Sequence, residues 1–371
     1  MPTRVVGTAG FDTLVPLLTE LGYTVIAPTV REQTITYDRI ESADEFPIGW
    51  TDHQGPGSYD LAPRDDEAYF GYTVGPRTVK HYLFPPRQTL LTITSAATGL
   101  AFAASPRPAP RYAFVGVRPC ELAAIDIQDT VFADTPFADP DYVSRRERSF
   151  TVAVNCAVAG ATCFCTSMDT GPRATSGYDL AVTEVLDGDR HVFVVTSGSD
   201  EGDDVLASLD GRDATPADLA RVEEIVADTR AQITRSMPAD EARDLLADRF
   251  DDPIWDDIAE RCLSCTNCTL VCPTCFCNTM EDATDLAGTA TRSRRWDSCF
   301  NREFTYLHGH AVRSSTKSRY RQWMTHKLSY WYDQFGSSGC VGCGRCITWC
   351  PVGIDITAEV GRMRTDTEVM A

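Results

Sequence analysis

Short apolar runs separated by turn residues recur through residues 1–205, whereas beyond that point the apolar positions fall three and four apart. In the first region Tyr23-Thr-Val-Ile-Ala27 ends at Pro28, and Thr89-Leu-Leu-Thr-Ile-Thr94 is β-rich. Tyr112 to Val117 precedes Arg118-Pro119, Thr151 to Val154 runs into Asn155-Cys156, and His191 to Val195 lies between Gly188 and Gly198. Each reads as a strand closed by a turn, with helical segments such as Phe11 to Leu21 between some of them. This alternation predicts an α/β domain over 1–205. Over 206–260 the period becomes helical. Thr215-Pro216 with Asp218 is an N-cap with proline at the first helical position, followed by a stripe of Leu219, Val222, Ile225 and Val226. A second helix is expected from Ala239 to Phe250, and a third, capped by Asp252 with Pro253 at its first position, runs to Cys262.

The chemistry is concentrated in cysteine. The 371-residue chain has 15, and eight fall into two runs of one form, Cys262-x2-Cys265-x2-Cys268-x3-Cys272-Pro273 and Cys340-x2-Cys343-x2-Cys346-x3-Cys350-Pro351. That spacing wraps three thiolates around a [4Fe-4S] cube, while the cysteine before proline reaches the neighbouring cluster. The expected ligand sets are therefore Cys262, Cys265, Cys268 and Cys350 for one cluster, and Cys340, Cys343, Cys346 and Cys272 for the second. A tetrahedral zinc site uses two Cys-x2-Cys pairs but has no role for the third cysteine or the Cys-Pro. A disulfide framework is not expected. Met1 to Tyr23 lacks the apolar core and cleavage site of a secretory signal, and no run approaches the length of a membrane span, so a cytoplasmic metal or redox protein is expected. The wide gap between Cys272 and Cys340 favours a helical ferredoxin arrangement. The expected fold class is thus α+β: an α/β domain (1–205), an acidic helical connector (206–260), and an α-helical ferredoxin-like domain (261–371) with two [4Fe-4S] motifs.

Net charge is −19 and unevenly distributed. Acids dominate 200–260, whereas Arg292, Arg294, Arg295, Arg302, Arg313, Lys317, Arg319, Arg321 and Lys327 face only Asp297 and Glu303 within 292–327. With Trp296, Phe304, Tyr306, Tyr320 and Trp323 interleaved, this stretch allows a nucleic-acid-binding protein with structural clusters as an alternative. The preferred reading is local, since cations stabilise an anionic cluster and raise its potential. His308 and His310 are expected to be solvated. Arg118 and Arg345 stand beside proposed ligands and can donate to cluster sulfurs.

Seven cysteines lie outside the two runs. Thr162-Cys-Phe-Cys165 and Thr274-Cys-Phe-Cys277 echo each other. Cys120, Cys156, Cys163 and Cys165 all follow predicted strands and supply four thiols for a third cluster. Cys275, Cys277 and Cys299 lack a fourth ligand and are expected to be plain thiols near the other clusters.

At these residues the chain resembles the β subunits of cytoplasmic sulfhydrogenases, the NAD(P)-linked [NiFe] hydrogenases, and the related A subunit of anaerobic sulfite reductase. The resemblance runs through Gly75-Pro76, Lys80, Leu83-Phe-Pro-Pro86, Gly116-Val-Arg-Pro-Cys120-Glu-Leu-Ala-Ala124 and Thr162-Cys-Phe-Cys-Thr-Ser-Met168 with Gly171-Pro172. It continues in Val271-Cys-Pro-Thr-Cys-Phe-Cys277, Trp296-Asp-Ser-Cys299, His326-Lys327, Cys340-Val-Gly-Cys-Gly-Arg-Cys346 and Ile354-Asp-Ile356. One departure is Asp169, where a glycine is expected. The resemblance implies a non-catalytic electron-transfer subunit between a flavin subunit that binds NAD(P)H and the hydrogenase small and large subunits. The equivalent role in a sulfite-reducing complex is the alternative. No Gly-x-Gly-x-x-Gly follows a strand and no [NiFe] cradle is present, so neither nicotinamide nor hydrogen is expected to bind here, and no membrane or nucleic-acid partner is expected.

Overall fold

A computed structural model describes residues 1–73, 75–96, 99–104 and 110–370. Its centre is an eight-stranded sheet in the order Gly211–Asp213, Thr3–Gly7, Arg190–Ser197, Leu180–Asp187, Phe150–Val154, Tyr112–Val117, Thr24–Arg31, Thr34–Arg39. The four neighbours from Leu180–Asp187 to Thr24–Arg31 are parallel, and antiparallel strands close both edges. Parallel strands are covered on both faces and read as continuous apolar runs, and every residue of Phe150–Val154 is buried. Pro28, expected to end a strand, lies inside Thr24–Arg31.

The strand Tyr112–Val117 carries an irregularity at Gly116, which sits at φ +83° with Pro28 Cδ 2.9 Å from where a Cβ would be. After it, Arg118 is extended and Pro119 opens the helix Pro119–Phe132. Cys120 thus stands just past the carboxyl end of one parallel strand, and Cys156 just past that of its neighbour. This is where open α/β sheets place their ligands.

The expected helices follow. Pro216–Gln232 begins with a reciprocal capping box between Thr215 and Asp218. Ala239–Asp248 comes next, and Ile254–Arg261 ends at Cys262, with the Asp252 carboxylate accepting from Ile254 N at 2.9 Å. The last two, with Thr316–Thr325, a π-helical turn at His326–Tyr330 and Ile356–Met370, surround a second core of Trp255, Phe300, Tyr320, Trp323, Met324 and Ile347.

The helical expectation for 261–371 does not extend to 278–296. Asn278–Thr284 and Ala290–Trp296 form a hairpin that pairs with Arg87–Ala96 from the N-terminal half, making a four-stranded sheet with Gly99–Ala104. Its residues are mostly polar on both faces, so it has no alternating apolar signature to read. The basic stretch is dispersed by the same packing. Arg292 pairs with Asp282, Arg294 with Asp139, Lys317 with Asp256, and Arg321 donates to Phe250 O.

The two halves are held together by backbone and side-chain bonds. Phe164 N donates to Gly342 O at 2.8 Å, Gly57 N to Ile347 O at 3.1 Å and Thr170 Oγ1 to Val341 O at 2.6 Å, while Thr162 and Thr348 share a hydroxyl bond of 2.8 Å. Tyr59 stacks on Trp349 with centroids 5.2 Å apart. Among the described residues, no helix is long and apolar enough to cross a membrane.

A candidate iron-sulfur relay

The two ferredoxin-spaced runs adopt the same backbone. In the first, Ser264 and Thr266 sit at φ +50° and +72°; in the second, Gly342 and Gly344 occupy the corresponding positions at +64° and +75°. Left-handed residues two and four places after the first cysteine curl each loop so that successive thiols face inward. An amide points back at the leading sulfur in both: Ser264 N lies 3.4 Å from Cys262 Sγ and Gly342 N 3.5 Å from Cys340 Sγ. Such N–H···S bonds favour the thiolate.

Cys262, Cys265, Cys268 and Cys350 line one cavity, walled by Phe300, Tyr320, Trp323 and Ile354, and Cys346 of the other run borders it too. Cys340, Cys343, Cys346 and Cys272 are near enough to one another for their charges to interact. The crossed pattern expected from the Cys-Pro spacing thus brings each predicted set together.

Cys120, Cys156, Cys163 and Cys165 line a third cavity, of about 40 Å³, together with Cys343, Arg118 and Arg345. Cys343 therefore adjoins both this group and the second ferredoxin set. Arg118 is 3 % exposed and binds Phe70 O at 3.1 Å and Tyr72 O at 2.8 Å through Nη2, while its Nε and Nη1 bond no protein oxygen or nitrogen and the guanidinium lies against the Cys156 thiol. A buried guanidinium with two donors at a ring of thiols fits an anionic group whose sulfurs accept them. Burial pushes Cys163 up to about 12, so this thiol needs a cation or a metal beside it to ionise near neutral pH. The residues present fit an iron-sulfur cluster. Among the described residues no three His, Cys, Asp or Glu side chains converge on one ion-sized point; the thiols are instead spread around cavities.

Several contributors have no sequence signature. Arg345 donates through Nε to Gly75 O at 2.9 Å and lies 3.3 Å from the Glu121 carboxylate, the two side chains being 3 % and 1 % exposed. Nothing in local sequence links positions 121 and 345. Lys80 and Lys327, two of the chain's three lysines, are both buried and flank Cys272. Lys327 Nζ contacts Cys272 Sγ at 3.4 Å, Thr274 Oγ1 at 2.6 Å and Gly339 O at 2.8 Å. Lys80 Nζ instead meets carbonyls, Cys272 O at 2.7 Å and Cys275 O at 3.0 Å, and stands 3.9 Å above the Trp296 ring. The two ammonium groups respond in opposite directions. Burial lowers Lys80 to about 8 against the pull of the nearby thiolates, whereas at Lys327 burial is outweighed by Cys272, Cys275 and Cys340 and its affinity for the proton rises. The direct sulfur contact of Lys327 accounts for the difference.

Cys275, Cys277 and Cys299, expected to be plain thiols, face one further cavity with Lys327 and His326. His308 and His310 are exposed at a small hairpin. Asp169 occupies the left-handed region at φ +53°, which accounts for the expected glycine there, since Asp is among the residues that tolerate that conformation.

Crossed thiol sets on two matching loops define an iron-sulfur protein, and residues 261–354 match the sequence pattern of the 4Fe-4S dicluster domain. The chain belongs to the sulfhydrogenase β-subunit family: it is 33 % identical over 257 residues to sulfhydrogenase 2 subunit beta of Pyrococcus furiosus, an alignment covering 68 % of this chain and 74 % of that protein. No solved structure matches the chain.

The matched loops make opposite predictions for the same backbone position. A Cβ on Gly344 would lie 2.3 Å from Thr162 O, whereas Thr266 is half-exposed and its strain comes from φ alone. Gly344→Ala is expected to cost about 3 kcal/mol or more, and Thr266→Gly to stabilise by about 1 kcal/mol after the entropic cost of glycine. Anaerobic denaturant unfolding of both variants tests this; equal effects would mean that docking does not dictate the glycine. By the same assay Arg345→Gln, which leaves Glu121 buried without its cation, should lose about 3–5 kcal/mol. The Glu121→Gln/Arg345→Gln pair should recover most of that, and no recovery would make the neighbouring thiolates the main partner.

Proposed function

We propose that this chain passes electrons within a hydrogenase complex, between a flavin subunit that exchanges hydride with NAD(P)H and the small and large subunits that carry the [NiFe] site. Family membership and the dicluster domain make it an iron-sulfur electron-transfer subunit of a hydrogenase; the partners are our inference from the resemblance. The observation that carries the relay is the sharing of walls: Cys343 borders the N-terminal cavity and Cys346 borders that of Cys262, Cys265, Cys268 and Cys350. Three thiol groups thus lie in series with a single cysteine between neighbours.

In this reading Cys262, Cys265, Cys268 and Cys350 hold one [4Fe-4S] cluster in a helical ferredoxin-like module, and Cys340, Cys343, Cys346 and Cys272 hold a second. Cys120, Cys156, Cys163 and Cys165 hold a third at the carboxyl ends of the parallel strands. The division 1–205, 206–260 and 261–371 assigns the third cluster to the α/β domain and the other two to the ferredoxin-like domain. The chain itself does no bond chemistry; its residues set potentials through buried Arg118, Arg345, Lys80 and Lys327. The likeness to sulfhydrogenase 2 subunit beta favours hydrogenase over sulfite reduction.

Iron and acid-labile sulfide counts on the anaerobically purified chain test the assignment. Cys163→Ser/Cys165→Ser is expected to remove about four irons and four sulfides while the EPR of the remaining reduced clusters persists. Unchanged iron would return the N-terminal cysteines to buried thiols, and zinc without sulfide would end the electron-transfer reading. Lys327→Met should lower the potential of the cluster on Cys272 by tens of millivolts, since one cation at contact distance is lost. An EPR-monitored redox titration reads that shift.

A further inference from the structure

Beyond the three-cluster relay, and resting on that reading, we infer that Cys275, Cys277 and Cys299 form a fourth iron-sulfur site, with His326 as an imidazole donor facing the cavity. The three thiols line a space of about 330 Å³ together with Thr274, Arg313, Trp323, His326, Lys327 and Trp331. That space is roughly eight times the N-terminal cavity of about 40 Å³, so room for a cluster is ample.

The cradle repeats the one proposed for the third cluster. Each is built from Thr-Cys-Phe-Cys, with its threonine buried and bonded across to the second ferredoxin loop or the helix after it. Thr162 Oγ1 meets Thr348 Oγ1 at 2.8 Å, and Thr274 Oγ1 donates to Gly339 O at 2.8 Å. The two motif loops therefore clasp the Gly339–Cys346 segment from two sides, and each presents two thiols. In the N-terminal cradle Cys120 and Cys156 arrive from strand ends. In the other, Cys299 arrives just beyond the hairpin strand Ala290–Trp296, and Cys277 immediately precedes Asn278–Thr284, so pairing of those two strands brings the thiols together.

The fourth corner is provided by an unusual backbone. His326 and Lys327 open the π-helical turn His326–Tyr330, a feature frequent at functional sites because it redirects side chains that a regular helix would place elsewhere. The imidazole packs edge-on to Trp331 with centroids 5.3 Å apart. The charge around the thiols also fits. Three thiolates around a cluster leave a net negative group, and Lys327 and Arg313 lie on its wall.

Two measurements on the full-length, anaerobically purified chain test the site. With four clusters the wild type holds about sixteen irons, and Cys275→Ser/Cys277→Ser loses about four irons and four sulfides. Cys163→Ser/Cys165→Ser loses a different four, so failure of the third cluster and of the fourth are separately visible. An unchanged iron count in the Cys275/Cys277 double variant, or loss of zinc in place of iron, overturns the proposal. His326→Ala is expected to retain protein and the other clusters while altering one EPR signal; an unaltered spectrum removes His326 from the ligand set. The second measurement needs no variant. Native alkylation followed by peptide mass spectrometry should find Cys275, Cys277 and Cys299 protected in the iron-loaded chain and labelled after iron is stripped with chelator. Equal labelling before and after stripping, or a Cys277–Cys299 disulfide in the iron-loaded chain, overturns the site.

Discussion

A low-dielectric interior must accommodate many thiolates, and this requirement organises the rest of the molecule. An unpaired buried charge is costly by many kcal/mol, so each must be matched by metal, cation or hydrogen-bond donor. The chain supplies four buried cations for this purpose, Arg118, Arg345, Lys80 and Lys327, with 3 %, 3 %, 5 % and 6 % of their surface exposed. Each reaches its place from a different part of the fold: the end of a parallel strand, a ferredoxin loop, a short helix and a π-turn. Removing Arg345 or Lys327 leaves Glu121 or the Cys272 sulfur without its cation, which ties the integrity of the core to the charge it holds.

The same requirement explains how the two halves meet. The second ferredoxin loop carries glycine where the first carries Ser264 and Thr266, although the dihedral angles match. The difference is the neighbour. Gly342 and Gly344 press against Phe164 O and Thr162 O, leaving no volume for a Cβ, and that contact seats the N-terminal thiols beside Cys343. Docking and the approach of the thiol groups thus share one surface, so an error in packing there also displaces the thiols. The hairpin of residues 278–296 reinforces it by adding strands to Arg87–Ala96, which makes the C-terminal region part of a sheet begun in the N-terminal half.

Membership in the sulfhydrogenase β-subunit family places this arrangement in a hydrogenase, where electrons must move without large drops in potential between sites. The cations differ in how they can serve that end. Lys327 touches the Cys272 sulfur directly, whereas Lys80 holds the Cys272 and Cys275 carbonyls and shapes the turn that carries both thiols. Arg118 aims donors at the N-terminal thiols and Arg345 balances Glu121 beside them. Potential and geometry are therefore adjusted by the same few side chains.

Sequence alone determined what depends on spacing. Cysteines three residues apart before a Cys-Pro specify a curled loop with its fourth thiol turned towards the other run, and the capping pattern at Thr215 and the apolar runs at 112–117 and 151–154 specify their elements locally. Those features were legible because their physics is confined to a few consecutive residues. Tertiary structure decided what depends on long-range approach. The Glu121–Arg345 pair, the two lysines converging on Cys272, and the common cavity of Cys275, Cys277, Cys299 and His326 join positions separated by tens to hundreds of residues. The hairpin at 278–296 was hidden for a related reason: its strands are stabilised by pairing with Arg87–Ala96 rather than by an apolar face, and pairing of remote backbone leaves no periodic trace in the chain.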